Sequence, residues 1–380
     1  MTLRVHVNAV GITMGGGATH LAQFIPALCK VRPDWEITLY SGDATLFKLD
    51  GANRIEWVRS GGLRRLAWDS YFADRRAVQL GADAVLYLAN YGPLFPRVPA
   101  LIYQRNALFF DRSWLEGRKV RERAEAWLRR MLAFAQLRRA AVVITPSAAM
   151  AHFLGDWRVS PQKVPVAVVP HGIDLDRFSF QTRKRSEPIR IVSLGHGCAH
   201  KDQALLIDMM EILLARGCDA MLEMTVDDRD APEYVARLRR QVGEARLGDR
   251  VMFVGRVDPV GFLAGADIAV LASLTESFGF PVAEAMASGI PVVASSIPAF
   301  CELLGENGWF FDAGDAAGAA ARVIEVLAAP RDEFERRRSA ALRRVEGMSW
   351  EHNASLVAHL IEQYAEDARR PGRWQSTRTR

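Results

Sequence analysis

Two glutamates with seven residues between them, Glu276 and Glu284, stand where an apolar run gives way to a second apolar stretch of different period. Carboxylates so spaced suit a polyhydroxylated ligand, because each accepts from a pair of vicinal hydroxyls and charge-assisted hydrogen bonds are the strong ones. The run from Asp267 to Leu271, rich in Ile, Val, Leu and Ala, reads as a buried parallel strand. The stretch from Pro281 to Ser288 is apolar at helical spacing, with proline near its start and Gly289 just past its end. Ser277, Phe278, Gly279 and Phe280 therefore fall where a strand ends and a helix begins. Open α/β sheets bind ligands there, and the amides of a helix start attract phosphate. The plainer alternative makes Glu276 a helix cap and Glu284 a solvated helix residue.

A cationic counterpart lies upstream. The loop Gly195-His196-Gly197-Cys198-Ala199-His200-Lys201 follows a strand-like Ile189 to Ser193. Lys201 is a sufficient point charge for phosphate, and His196 assists only when protonated. A metal site on His196, Cys198 and His200 is the weaker reading, since no fourth ligand is evident. Asp228-Arg229-Asp230 sits between a strand and a helix, and Asp230 reads as the N-terminal cap of that helix. Near the start, a strand from Arg4 to Val10 leads through Gly11 to Gly17 into a helix from Ala18 to Lys30. Gly16 and Gly17 let a backbone approach a phosphate closely. The spacing is not G-x-G-x-x-G, and no acidic residue closes the next strand at Tyr40, which argues against a nicotinamide dehydrogenase.

Strand and helix signals alternate throughout. Strands are expected at Glu36 to Tyr40, Ala84 to Leu88, Ala100 to Tyr103, Ala141 to Thr145 and Pro165 to Val169, and helices at Arg64 to Leu80 and within Arg112 to Arg139. The pattern restarts at Ile189, so the fold class is α/β with two doubly wound Rossmann-like domains facing across a cleft. Residues 1–180 form the first domain and residues 181–349 the second, the polar linker from Gln181 to Glu187 lying at the boundary. A helix covers about 350–366, and residues 367–380 form a basic tail expected to be disordered.

A chain of 380 residues, 49% hydrophobic and 24% charged, can bury two cores. Cys29, Cys198, Cys218 and Cys301 show no paired spacing, so neither a disulfide framework nor a zinc module is expected. No apolar run spans a bilayer and no leader peptide is evident, which places the chain in the cytoplasm. Much of the net charge of +5 lies between Arg112 and Arg139, where Arg118, Lys119, Arg121, Arg123, Arg129, Arg130 and Arg138 alternate with Trp114, Trp127, Leu128 and Met131. Such a helix suits either peripheral contact with an anionic membrane or packing of its apolar stripe on the sheet. No nucleic-acid motif accompanies it.

The stretch from Val251 to Pro291 resembles the E-x7-E signature of the retaining glycosyltransferases of family 4, which have the GT-B fold. Carrying the resemblance are Gly265-Ala266-Asp267, Ser277-Phe278-Gly279-Phe280, Ala287-Ser288-Gly289-Ile290-Pro291-Val292-Val293 and His171-Gly172-Ile173-Asp174. It implies a first domain that binds acceptor, a second that binds a nucleotide sugar, and a C-terminal helix that packs back on the first. Glu276 would hold the sugar hydroxyls and Glu284 the ribose, with Ser277 to Phe280 and the amides of Gly16 and Gly17 also at the donor. Lys201 would clamp the diphosphate together with His196, which stands where relatives carry arginine. No metal and no cofactor are implied. Relatives often place a histidine after the strand at Ala100 to Tyr103, where this chain reads Gln104-Arg105-Asn106; Asn106 and Arg105 are the acceptor candidates. The implied reaction is retaining transfer of a hexose, GDP-mannose before UDP-glucose as donor, to a glycan or lipid-linked acceptor in bacterial surface polysaccharide or lipopolysaccharide synthesis. Closure about a hinge from His171 to Pro188 is expected on donor binding. The rivals are a sugar-nucleotide epimerase or phosphorylase of the same fold, and a catalytically impaired partner subunit.

Overall fold

The computed structural model describes residues 2–12, 15–42, 52–59, 61–157, 164–178 and 187–370. The chain divides into two compact units, residues 1–172 with 348–380, and residues 173–347. Residues 181–186 of the expected linker and residues 371–380 of the expected tail lie outside the described residues, whereas residues 367–369, expected in the tail, continue the last helix.

The first unit runs β1 (Arg4–Asn8), α1 (Gly15–Val31), β2 (Glu36–Ser41), β3 (Arg54–Trp57), α2 (Gly62–Ala67), α3 (Ala73–Gln79), β4 (Ala84–Tyr87), β5 (Ala100–Tyr103), α4 (Arg112–Glu116), α5 (Val120–Leu137), β6 (Val142–Thr145), α6 (Ala148–Asp156) and β7 (Val166–Val168). Its sheet has the order β3-β2-β1-β4-β5-β6-β7, parallel throughout. Strands β4, β5 and β6 are buried at every residue, as parallel strands covered on both faces must be, and this is why their sequences are unbroken apolar runs.

The second unit runs β8 (Ile189–Ser193), α7 (Gln203–Ala215), β9 (Ala220–Met224), α8 (Pro232–Glu244), β10 (Val251–Phe253), α9 (Pro259–Ala264), β11 (Ile268–Leu271), α10 (Phe280–Ala287), β12 (Val292–Ser295), α11 (Pro298–Leu304), β13 (Trp309–Phe311), α12 (Ala316–Ala328) and α13 (Arg331–Glu346). Its sheet, β10-β9-β8-β11-β12-β13, is also wholly parallel. The last helix, α14 (Trp350–Arg369), returns to the first unit and packs along α1. Trp350 lies against the α-carbon of Gly172, where an added Cβ would stand 2.5 Å from the indole, and Asn353 donates to the carbonyl of Pro170 at 2.6 Å.

In each sheet the order reverses once, between β1 and β4 and between β8 and β11. At such a reversal the connections diverge to opposite faces and leave a crevice at the carboxyl ends of the strands. Gly16 and Gly17 follow β1, His196 and Lys201 follow β8, and Glu276 to Glu284 follow β11, whereas Arg105 and Asn106 follow β5.

Several local expectations need correction. The helix α1 begins at Gly15, so Gly16 and Gly17 belong to its first turn, three residues before the expected start at Ala18. The basic stretch is two helices, because Gly117 ends α4 and Lys119 caps α5. Arg130 on it is buried, 6% exposed, and is no surface cation. The helix expected from Arg64 to Leu80 contains a π-helical turn at Trp68–Phe72.

Candidate functional site

In the second unit the loops after β8 and β11 are joined directly, since the amide of Leu274 donates to the carbonyl of His200 at 2.8 Å. This brings Lys201 and Glu276 together at the reversal of the sheet. The ammonium of Lys201 forms an ion pair with Glu276 Oε1, which also accepts from the hydroxyl of Ser273 at 3.1 Å. Both side chains are mostly covered, 15% and 14% exposed. Burial works against each charge, but the partner outweighs it, so the Glu276 carboxyl is held below the usual carboxylate range and the Lys201 ammonium above its own. Glu276 is therefore no helix cap; it is a fixed anion.

Glu284 sits one and a half turns along α10 and is part-buried. Burial pushes its carboxyl up to about 7, against the pull of Arg177 and Lys201 and with the help of Asp258. One carboxyl of the pair is thus ionised throughout the neutral range, and the other titrates within it. The turn between them is set by Gly279, which caps α10 at φ 107°. A Cβ there would meet Phe300 at 2.7 Å. Phe278 is buried and packs edge-on to Phe280 at 5.3 Å, so the Ser277 to Phe280 turn is anchored by its rings.

The loop from Gly195 is pinned at both ends. The amide of Gly195 donates to Thr225 Oγ1 at 2.8 Å, and Gln203 donates to the carbonyl of His196 at 2.7 Å. Asp230 fastens its middle, accepting from the amides of Gly197 at 2.6 Å and Asp227 at 3.0 Å. That corrects its reading as a helix cap: the N-cap of α8 is Ala231, and no side chain caps it. The Asp230 carboxylate also lies 3.5 Å from His196 Nδ1 and 3.7 Å from the guanidinium of Arg256. An arginine therefore stands beside His196 from another loop, after Val254 and Gly255. Sequence reading missed it, because a solitary arginine after a strand carries no signal until the strands are ordered. His200, driven down to about 4 chiefly by burial, is neutral near pH 7, and its Nε2 is 3.7 Å from Cys198 Sγ. Among the described residues no group of three or more His, Cys, Asp or Glu is placed to hold a metal ion.

Gly16, Gly17, Arg105 and Asn106 belong to the first unit and are described apart from the others. Arg105 donates to the carbonyl of Leu88 at 2.8 Å, and its guanidinium nitrogen would be 3.6 Å from a Cβ at Gly17. It is thus packed beside the start of α1. Arg65, which donates to the carbonyl of Ala89 at 3.1 Å, leans over Gly11, so two guanidinium groups flank the reversal between β1 and β4. Asn106 caps a short 3-10 turn, accepting from the amide of Leu108 at 3.0 Å, which gives it a local structural task. His171 is buried, stacked on Tyr103 at 5.4 Å and close to His20 and Trp350.

Residues 174–344 match the family model described as glycosyl transferases group 1, and residues 14–177 the one described as Glycosyltransferase Family 4. A phosphatidyl-myo-inositol mannosyltransferase of Mycobacterium leprae (strain TN) is 28% identical over 221 residues, 55% of this chain and 56% of that protein. A GDP-mannose:cellobiosyl-diphosphopolyprenol alpha-mannosyltransferase of Xanthomonas campestris is 26% identical over 211 residues, 54% of this chain and 53% of that one. The chain spans about half the length of the curated relatives it matches. Among solved structures, sucrose-phosphate synthase from Thermosynechococcus elongatus superposes with a TM-score of 0.76 at 20% identity, covering 95% of this chain and 98% of the other. An Anabaena protein in complex with UDP-glucose gives 0.70 at 18% identity, covering 95% and 100%. With adjoining family matches running from residue 14 to residue 344 over two parallel, doubly wound units, the chain belongs to glycosyltransferase family 4 and has the GT-B fold.

Proposed function

We propose that the chain is a retaining, metal-independent glycosyltransferase that moves a hexosyl group, mannosyl first among them, from a nucleotide sugar to a hydroxyl of a glycan or lipid-linked acceptor. The observation that carries the reading is the buried Lys201–Glu276 pair at the reversal of the second sheet, with Glu284 on the adjoining helix. Glu284 accepts from the ribose hydroxyls and Glu276 from those of the sugar. The donor diphosphate is neutralised by Lys201, and by Arg256 and His196 across Asp230. The bond from the anomeric carbon to the leaving phosphate oxygen breaks. The acceptor oxygen bonds to the same face, and its proton passes to a phosphate oxygen. Arg105 is the cation of the first unit suited to an anionic acceptor, since Arg65 is already paired with the buried Asp69.

The mannosyltransferase names of the relatives, one of which specifies GDP-mannose and a diphosphopolyprenol, support the donor and the lipid-linked acceptor, and with them a role in bacterial surface polysaccharide synthesis at the inner membrane face. The membrane contact proposed is peripheral; among the described residues no helix is long and apolar enough to cross a membrane. Arg256 supports the active reading over that of an impaired partner subunit, because its guanidinium faces the same Asp230 carboxylate as His196 and so adds a cation beside that histidine.

Thermal unfolding with UDP, GDP, ADP and their sugar conjugates, without metal, tests the assignment on the native chain and on Glu284→Ala. A bound nucleotide at about a hundred times its dissociation constant adds roughly 2.7 kcal/mol, and one base should do so in the native chain alone. Stabilisation by none of them would transfer the lead to the partner-subunit reading.

A further inference from the structure

A cavity of about 610 Å³ opens in the first unit where α4, α5 and the end of α6 meet. That volume is within the ~300–1,000 Å³ of ordinary small-molecule sites. Leu115, Val120, Trp127 and Trp157 give it apolar walls, and Arg112, Arg123 and Arg130 line it against a single acid, Glu116. Arg130 is the unusual member. Its guanidinium is buried, 3.5 Å from the centre of the Trp157 ring, and donates to the carbonyl of Phe109 at 3.1 Å. Arg112 lies over the same ring at 4.5 Å. Neither arginine makes an ion pair with a carboxylate among the described residues. Arg130 is buried with a backbone carbonyl and a ring for partners, where a buried arginine is ordinarily paired, and the exposed Arg112 lies over the same ring, so the two guanidinium groups at the wall of the cavity offer a place for an anion. Burial and the charge of Arg112 both work against the charge on Arg130, which an incoming anion would relieve.

The rim identifies what carries the anion. Val120 is 82% exposed and Leu128 65%, with Trp127 and Met131 also outward and the exposed cations Lys119, Arg121 and Arg123 among them. Large apolar groups interleaved with cations fit the boundary of an anionic bilayer, where tryptophan and snorkelling arginine are favoured. A free anion would need no such rim. We infer that this cavity takes the phosphoester head of an anionic membrane lipid, held by Arg112, Arg123 and Arg130, with the first part of its chain against Trp127 and Leu115. The inference rests on the peripheral-membrane part of the function proposed above and assigns that contact a specific lipid site.

Titration of the full chain with farnesyl phosphate, farnesol and inorganic phosphate tests it, alongside flotation with phosphatidylcholine vesicles with and without phosphatidic acid. Saturable binding of farnesyl phosphate is expected, about tenfold or more tighter than either farnesol or phosphate, since both halves of the ligand are recognised. Arg123→Gln and Trp127→Ala, both at exposed positions, should each weaken it severalfold with an unchanged unfolding midpoint; Arg130→Met should abolish it. Farnesol binding as tightly as farnesyl phosphate, or phosphate doing so, overturns the proposal. Flotation with phosphatidic acid together with undiminished farnesyl phosphate binding in Arg123→Gln and Trp127→Ala would keep the membrane contact and remove the site.

Discussion

At Glu284 the proposed function and the stability of the fold pull in opposite directions. Burial raises its carboxyl from an ordinary 4.5 to about 7. A group whose folded pKa is raised stabilises the fold fully below its unfolded pKa, and that contribution is lost as pH rises through the folded value. The hydroxyls of a nucleotide sugar, however, donate most strongly to the ionised form. Nucleotide affinity should therefore rise across pH 7 in the native chain and stay flat in Glu284→Gln, while the glutamine variant gains thermal stability over the native chain above about pH 7 and gains nothing near pH 4.5. Unfolding midpoints with and without nucleotide across that range check both signs, and a parallel pH dependence in the two chains would reject Glu284 as the titrating group. The carboxylate spacing was legible in the sequence because both residues sit on one strand–loop–helix unit. The ion pair with Lys201, the bracing by Asp230 and the presence of Arg256 were not, since each depends on which strands become neighbours.

Elements were legible in proportion to how strongly their own residues dictate them. Fully buried strands such as β4, β5 and β11 announce themselves as apolar runs. The half-exposed β3 does not, and α12 and α13 were passed over, the latter being charged along most of its length with Val345 its buried residue. The start of α1 was misplaced for a physical reason: three glycines disfavour a helix locally, yet α1 begins on them next to β1 and gains its stability from the packing of Leu21, Phe24, Ile25 and Leu28. At α10 the single glycine is decisive. Gly279→Ala puts a side chain at φ 107° and against the buried ring of Phe300 at 2.7 Å. Left-handed strain of about 1–2 kcal/mol and overpacking of about 1–3 kcal/mol add to several kcal/mol. The denaturant midpoint should fall with an unchanged slope, and nucleotide stabilisation should fall with it, because the same turn sets the start of α10. An alanine variant as stable as the native chain would show that the turn relaxes freely.

At the scale of the whole molecule the two units are tied by sequence in an asymmetric way. The chain leaves the first unit at Gly172, builds the second, and comes back with α14. Alternation of strand and helix announces two α/β halves, but no local pattern says that Trp350 will rest on Gly172, since the two are separated by an entire sheet. The contact is tight: Trp350 is 5% exposed, its ring 5.4 Å from that of His20, which is itself wholly buried with neither ring nitrogen hydrogen-bonded among the described residues. His171 completes the cluster, and burial holds the pKa of both histidines well below the ordinary value, so the cluster packs as an apolar one. Gly172 is a glycine because the indole occupies the space of a side chain. Trp350→Ala should then cost about 3–5 kcal/mol, the usual range for deleting a buried aromatic, and the loss should fall on the first unit. Lys201, Glu276 and Glu284 lie in the second unit, so the increment that a nucleotide adds to its unfolding midpoint should survive the substitution. Scanning calorimetry with and without the stabilising nucleotide separates the two effects. A lowered first transition with an intact nucleotide increment is the expected result, and loss of the increment would overturn the assignment of the proposed nucleotide site to the second unit alone.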